Sequence, residues 1–212
     1  MIDLDGMIVA VQGREASFHV MAAQKHFGTD VTLVHCATFG EVFERLSECD
    51  FGVVAVENSI SGAVHEVGDA EVSVRELIKD CEARVVGEVS LPIEQCLLTL
   101  PGAKVEDVTA VYSHDAALKQ CSGFLQNNLP NAKRVEHEDT AGAAADVKRW
   151  GNPHFAAIAS RAAAELHGLQ VRAANIGNAS ESVTKFYVIS NAPVTAKLKS
   201  AHNKLRTFSK LS

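Results

Sequence analysis

Residues 51–62 constrain the fold of this chain most, because an apolar run passes there directly into a polar one. The first half, Phe-Gly-Val-Val-Ala-Val, is typical of a strand buried on both faces of a parallel sheet. The second half turns polar at Glu57, Asn58 and Ser59. Ligands of open α/β sheets bind at the carboxyl ends of such strands. Taken alone, an ordinary turn is the simpler explanation, because Asn and Ser also cap helices.

The rest of the chain alternates between predicted strands and predicted helices. The strands are expected at residues 7–12, 31–35, 51–56, 84–91, 95–100, 109–112, 133–137, 155–159 and 183–190. The helices are expected at residues 17–27, 38–46, 71–82, 115–127, 140–150 and 160–167, and the basic stretch 195–212 is a candidate for one more. This alternation predicts βαβ units and a mainly parallel sheet, in two successive sets that change over near residues 91–94.

The composition limits the classes of partner. The chain has 212 residues, of which 47% are hydrophobic and 22% charged, a balance typical of globular proteins. Its net charge of −6 disfavours binding to nucleic acid or to an anionic membrane. No apolar run approaches the roughly 20 residues of a spanning helix, and the acidic N-terminus does not resemble a signal peptide. We therefore expect a cytoplasmic protein without nucleic-acid or membrane partners.

The cysteines and glycines argue against several kinds of site. The chain has five cysteines and no Cys-x-x-Cys pair, and its nine histidines do not complete a metal-ligand pattern with them. We therefore expect neither a disulfide framework nor a metal site. The glycines fit neither a Walker loop nor a dinucleotide fingerprint.

Polar residues gather where predicted strands end or helices begin, at residues 13–19, 57–62, 113–121, 139–142 and 178–185. Helix N-termini attract anions, so several of them together would suit a small carboxylate ligand. Each group also has a structural explanation. On that explanation, Thr184 would be an ordinary strand residue, Asn58 an ordinary turn residue, and Cys121 an ordinary core residue.

An ordered set of motifs distinguishes these explanations. The motifs are Gly13-Arg14-Glu15-Ala16-Ser17-Phe18, Glu57-Asn58-Ser59-Ile60-Ser61-Gly62, Ser113-His114-Asp115-Ala116-Ala117-Leu118-Lys119-Gln120-Cys121, Thr140-Ala141-Gly142-Ala143-Ala144, residues 156–160 with 166–169, and Thr184-Lys185-Phe186. In this order they resemble the catalytic region of the prephenate dehydratase family. The resemblance covers roughly residues 7–190.

The resemblance implies an α/β fold like that of type II periplasmic binding proteins. Two α/β lobes would flank a cleft, and the chain would cross between them near Ile93 and Thr184. Lobe 1 would then comprise residues 1–93 and 184–212, and lobe 2 residues 94–183. Residues 191–212 are too few for the regulatory (ACT-type) domain that often follows in the family, so we expect that domain to be missing or cut off. The resemblance also suggests a homodimer.

The resemblance implies a reaction as well. Prephenate loses its ring carboxylate and ring hydroxyl to give phenylpyruvate, carbon dioxide and water, a step of phenylalanine biosynthesis. Aromatisation drives the reaction, so neither a metal nor another cofactor is expected. Two alternatives stay open: arogenate dehydratase, which acts on the amino-acid analogue, and a non-catalytic binding module of the same fold.

The resemblance assigns roles to individual residues. Catalytic roles would fall to Thr184, Asn58, Ser113 and Gln120, with the Thr184 hydroxyl donating a hydrogen bond to the departing hydroxyl group. Substrate binding would involve Glu57, Ser59, Ser17, Phe18, Thr140, Ala141, Lys185 and Phe186.

Three residues depart from the family pattern. Lys185 replaces an arginine and loses the planar fork that grips a carboxylate. Asp115 replaces a proline and brings a negative charge to a helix start, which favours the helix but not an anionic ligand. Ala16 replaces a glycine and narrows the backbone choices of the first loop.

Overall fold

The chain divides into two compact α/β units, which confirms the predicted fold class. The structure is a computed structural model that describes residues 6–66, 72–179 and 181–191. Of the described residues, 6–12, 19–66, 72–91 and 184–191 form unit 1, and 13–18, 92–179 and 181–183 form unit 2. The candidate basic helix at 195–212 lies outside the described residues. Residues 13–18, which are expected in lobe 1, group with unit 2, and Ser160 Oγ of that unit donates to the Ala16 carbonyl at 3.0 Å.

Unit 1 is built on one mixed sheet. Its strands are β1 (Ile8–Gln12), β2 (Thr32–Cys36), β3 (Phe51–Asn58), β4 (Gly62–Ala63), β7 (Arg84–Pro92) and β13 (Val183–Ser190), in the order β2-β1-β3-β13-β7 with β4 beside β3. A separate antiparallel pair joins β5 (His65–Glu66) to β6 (Val72–Ser73). Strands β1, β2 and β3 are parallel, whereas β13 runs antiparallel to β3. The sheet is therefore less uniformly parallel than the alternation predicts.

The helices of unit 1 are α1 (Phe18–Phe27), α2 (Phe39–Arg45) and α3 (Val74–Asp80). Side-chain caps start α2 and α3. The Thr38 hydroxyl accepts from the Glu41 backbone N–H at 3.1 Å and so starts α2, as its spacing predicts. Ser73 and Glu76 form a full capping box, which starts α3 at Val74 rather than at the predicted residue 71, itself outside the described part.

Unit 2 is built on a second mixed sheet. Its strands are β8 (Cys96–Thr99), β9 (Ala110–Ser113), β10 (Lys133–Glu136), β11 (Phe155–Ala159) and β12 (Gln170–Ala173), in the order β10-β9-β11-β8-β12. Strand β9 is parallel to both of its neighbours, and β8 is antiparallel to β11 and β12. Apolar side chains bury both faces of this sheet, led by Leu97 and Ile158 on one and Leu98 and Ala157 on the other.

The helices of unit 2 are α4 (Asp115–Gln120), α5 (Ser122–Asn128), α6 (Thr140–Trp150) and α7 (Arg161–His167), with a 3₁₀ turn at Val105–Asp107. Helix α7 is capped by Ser160 and ends at Gly168, whose φ of 60° is left-handed, as predicted. The prediction of a single helix at 115–127 is wrong, because the segment forms two helices, α4 and α5, that are separated at Cys121. Within the three described ranges, every helix is too short or too polar to cross a bilayer.

Candidate active site

The end of β3 and the start of β13 bring Asn58 and Thr184 together in unit 1. The two residues are cross-strand partners in the antiparallel ladder. The Asn58 Nδ2 group donates to Thr184 Oγ1 at 2.9 Å, and the exposed fractions of the two residues are only 7% and 8%. The structure therefore joins two of the four residues expected to be catalytic by one buried hydrogen bond.

The turn after β3 fixes the orientation of the Asn58 amide. Its Oδ1 atom accepts from the backbone N–H groups of Ile60, at 3.0 Å, and Ser61, at 3.1 Å. A flipped amide would set its NH₂ group against these two donors, so the NH₂ group must face Thr184. Thr184 Oγ1 therefore accepts in this pair. Its own hydrogen is directed away from the amide and is available as a donor.

Glu57 and Lys185, the next cross-strand pair, engage other partners of unit 1. Glu57 Oε2 accepts from Arg75 Nη2 at 2.9 Å, and Arg75 Nη1 donates to the Tyr187 hydroxyl at 2.8 Å. Lys185 Nζ lies 3.4 Å from Glu88 Oε1. No local sequence pattern marks Arg75 as a site residue, since only the fold brings α3 to the end of β3.

Ser59 and Phe186 differ in their exposure. Ser59 is exposed in the turn after β3, whereas Phe186 is a core residue with an exposed fraction of 1%. The Phe186 ring meets the His19 ring edge-on, with ring centroids 5.1 Å apart. Phe186 thus packs into unit 1 beside the Asn58–Thr184 pair rather than presenting its ring to solvent.

In unit 2, Ser113 ends strand β9 and is fully buried. Its hydroxyl donates to the Ile158 carbonyl of the neighbouring strand β11 at 2.6 Å. Because a hydroxyl has a single hydrogen, Ser113 can only accept from any further partner. Its observed bond joins two strands of the sheet.

Gln120 is the last residue of α4. The helix breaks after it, and the Asn178 side chain forms hydrogen bonds on both sides of the break. Asn178 Nδ2 donates to the Lys119 carbonyl at 3.1 Å, and Asn178 Oδ1 accepts from the Gly123 N–H at 2.9 Å. In an unbroken α-helix Gly123 N–H would donate to the Lys119 carbonyl. The side-chain amide of Asn178 replaces that bond. In addition, the backbone N–H of Asn178 donates to the Gln120 carbonyl at 2.6 Å.

Ser17, Phe18, Thr140 and Ala141 lie on two joined segments of unit 2. Thr140 is the first residue of α6 and is half-buried, and Ala141 behind it is buried. Asp139 caps α6 by accepting from the Gly142 N–H at 2.6 Å. The loop that carries Ser17 and Phe18 reaches this cap through Arg14, whose Nε lies 3.6 Å from Asp139 Oδ2.

Two of the three departures from the family pattern have visible consequences. Ala16 has a φ of 64°, a left-handed conformation that costs a non-glycine residue about 1–2 kcal/mol. Asp115 lies 2.6 Å from Lys119 Nζ one helical turn later, so a cation balances its charge. Among the described residues, no three or more His, Cys, Asp or Glu side chains form a cluster that could hold a metal ion.

Two mixed α/β units, with small polar side chains at their strand ends and a buried amide–hydroxyl pair, define a two-unit α/β protein with a candidate active site. Residues 9–194 match the family model described as prephenate dehydratase. The chain therefore belongs to the prephenate dehydratase family, as the ordered motifs predict.

Relatives and solved structures agree with this assignment. Arogenate dehydratase 1 of Petunia hybrida is 35% identical over 90% of this chain and 43% of its own. The bifunctional chorismate mutase/prephenate dehydratase of Aquifex aeolicus (strain VF5) is 35% identical over 85% of this chain and 48% of its own. The prephenate dehydratase of Arthrobacter aurescens, solved in complex with L-Phe, is 27% identical and superposes with a TM-score of 0.76 over 88% of this chain and 61% of its own. The chain thus spans about half the length of the two relatives compared by sequence.

Proposed function

We propose that this chain catalyses the decarboxylating dehydration of prephenate to phenylpyruvate. The observation that carries the proposal is the buried Asn58–Thr184 hydrogen bond, in which threonine is the acceptor and keeps its own hydrogen for a ligand. The family assignment supplies the substrate class. A fixed donor that need not reorganise during the reaction is the expected electrostatic contribution to such an elimination.

The proposed step balances without an added reagent. The bond between the ring and its carboxylate breaks and releases carbon dioxide, and the electron pair moves through the ring as it becomes aromatic. The bond between the ring and its hydroxyl oxygen breaks, and that oxygen leaves as water once it has taken up a proton. Thr184 donates a hydrogen bond to the departing oxygen. A threonine hydroxyl is too weak an acid to ionise fully, so the proton itself comes from solvent.

Asn58 supports this role in two ways. Its bond to Thr184 Oγ1 withdraws electron density from the oxygen and so strengthens the hydroxyl as a donor. Its bonds to Ile60 and Ser61 hold the amide rigid. The proposal gives substrate-binding or orienting roles to Ser113 and Gln120 of unit 2, and substrate contacts to Ser17, Phe18, Thr140, Ala141, Glu57 and Ser59. It leaves out two residues of the family pattern: Lys185, which is paired with Glu88, and Phe186, which is buried in the core.

Two other functions are distinguishable by experiment. The similarity to arogenate dehydratase 1 of Petunia hybrida favours the arogenate dehydratase alternative. A non-catalytic binding module would bind prephenate without converting it. A homodimer and a cytoplasmic location belong to the same proposal, and light scattering on the purified protein tests the first of them.

The test supplies purified protein with prephenate and with arogenate in parallel. Phenylpyruvate is followed by its absorbance in alkali, and phenylalanine by amino-acid analysis. Product from prephenate that Thr184→Val abolishes supports the proposal. Faster turnover of arogenate would reassign the substrate. Binding of prephenate by calorimetry with no product from either compound would support the binding module instead.

A further inference from the structure

The Asn58–Thr184 pair depends on a register shift in the sheet of unit 1. Tyr187 and Phe186 of β13 pair in regular order with Val54 and Ala55 of β3. The next two residues, Lys185 and Thr184, pair with Glu57 and Asn58, so the order skips one residue of β3, Val56. Val56 is the extra residue of a β-bulge.

Without this bulge the catalytic pair would not exist. A continuous ladder from Ala55–Phe186 would place Lys185 opposite Val56 and Thr184 opposite Glu57. A one-residue slip also turns every side chain beyond it to the other face of the sheet. The bulge is therefore what sets the amide of Asn58, rather than the carboxylate of Glu57, against the Thr184 hydroxyl.

His19, on α1, contacts both members of the last regular pair before the bulge. Its Nε2 atom accepts from the Ala55 backbone N–H at 3.2 Å. Its ring meets the edge of the Phe186 ring, with centroids 5.1 Å apart, and the Phe39 ring lies 5.5 Å away. Because the ladder is disrupted beside an extra residue, a side-chain acceptor at this N–H compensates for weakened strand pairing.

We infer that His19 is a positioning residue that locks the β3 bulge and thereby the Asn58–Thr184 pair. The inference rests on the proposed function only for its effect on turnover; its claim about register stands on the geometry alone. A backbone N–H can only donate, so Nε2 carries the lone pair and the hydrogen sits on Nδ1. A protonated ring would lose this acceptor. Burial lowers the pKa of His19 to about 4, which keeps the ring neutral near pH 7.

Three substitutions separate the acceptor from the ring. His19→Phe keeps an aromatic ring and removes the acceptor. His19→Gln offers an amide oxygen near the position of Nε2 without the ring. Phe39→Leu is the matched control, because it removes a ring contact of His19 and leaves the acceptor in place.

The expected results have two independent readouts. Amide hydrogen exchange at Ala55 should quicken at least tenfold in His19→Phe, recover in His19→Gln and stay unchanged in Phe39→Leu. With prephenate, His19→Phe should lower kcat about ten- to a hundredfold with little change in KM, because misplacing a reacting group by about 1 Å can cost a hundredfold. His19→Gln should restore part of kcat.

Should His19→Phe not fold, the wild-type protein decides the matter by ¹⁵N NMR. The inference requires a neutral Nδ1–H imidazole near pH 7 and a scalar coupling between Ala55 N and His19 Nε2. An Nε2–H tautomer, or unchanged Ala55 exchange in a folded His19→Phe, would overturn it. If neither prephenate nor arogenate is converted, the proposed function fails, while the tautomer and the exchange rates still decide the role of His19 in the register.

Discussion

Asn58 Nδ2 lies 2.9 Å from Thr184 Oγ1, although 126 positions separate the two residues in the chain. The amide cannot rotate without breaking its bonds to the turn that follows β3. The geometry therefore dictates that asparagine donates and threonine accepts. The first two predictions depend on this direction.

Thr184→Val should lower kcat about a hundred- to a thousandfold, the loss that follows removal of a single donor to a developing oxyanion. Valine keeps the β-branched shape and removes only the hydroxyl. Steady-state kinetics with prephenate measures the effect, and circular dichroism checks the fold. Thr184→Ser is the control, since it returns the hydroxyl and should recover most of the rate. Near-normal turnover in folded Thr184→Val would remove Thr184 from the mechanism.

Asn58→Asp should be almost as damaging as loss of the threonine hydroxyl. The introduced carboxylate still accepts from the turn, but its second oxygen cannot donate, so Thr184 must turn its hydrogen towards it. The departing oxygen then has no donor. Because both changes remove the same function, we expect kcat of the Asn58→Asp/Thr184→Val double variant to lie close to that of the single variants. Fully additive losses would show that the two residues act separately.

Lys185→Met should raise KM for prephenate by less than about threefold. Lys185 is partly exposed and paired with Glu88, and exposed ion pairs contribute only about 0–1 kcal/mol. This favours the alternative in which strand alternation turns Lys185 away from Thr184. Lys133→Met, on β10, is a matched control for the change in net charge. A ten- to hundredfold rise in KM, relieved in Lys185→Arg, would instead support the substrate contact that the family resemblance implies.

Ser113→Ala should lower the free energy of unfolding by about 1–3 kcal/mol, because the Ile158 carbonyl loses its buried donor. For a chain of this size that corresponds to a fall in Tm of a few degrees. Thermal unfolding measures the effect. We expect kcat to fall far less than in Thr184→Val, since the Ser113 hydrogen is already engaged. A large loss of kcat at unchanged Tm would mean that Ser113 turns towards the substrate during the reaction.

The neutral state of His19 predicts a pH dependence of stability. Its pKa is about 4 in the folded protein and about 6.5 in the unfolded chain, so folding is favoured fully above pH 6.5. As the pH falls from 6.5 to 4, the unfolded chain binds a proton that the folded protein does not, and about 3 kcal/mol of stability is lost. Denaturant unfolding of wild type and His19→Phe should show their difference shrinking across this window. A constant difference would contradict the lowered pKa.

The sequence predicted those elements whose signals are local. Helix α6 and strand β11 have the bounds expected from composition and flanking residues, and Gly168 ends α7 as its position predicts. Asn58 and Thr184 both lie in motifs that match a family pattern, and their assignment to the site stays a prediction. The sequence does not predict their direct bond, because pairing between distant strands leaves no local signal.

The features that escaped prediction depend on contacts between distant segments. The break at Cys121 requires the Asn178 amide, which arrives from a loop after β12 and replaces a helical bond. The valines and alanine of β3 are apolar whether or not the pairing with β13 skips a residue. The sequence of β3 therefore does not mark Val56 as the extra residue of a bulge. Arg75 likewise gains its partners only when α3 packs near β13.

The place of β13 within its sheet has a consequence for synthesis on the ribosome. Strand β13 lies between β3 and β7, yet its residues are made after the whole of the second sheet. Unit 2 draws all of its strands from one continuous stretch, Cys96 to Ala173, so that sheet can form as the chain emerges. Until β13 has been synthesised, the edges of β3 and β7 that it joins stay unpaired, and unpaired edges are prone to wrong pairing. Because Thr184 lies on β13, the candidate catalytic pair forms in the same step that completes the sheet.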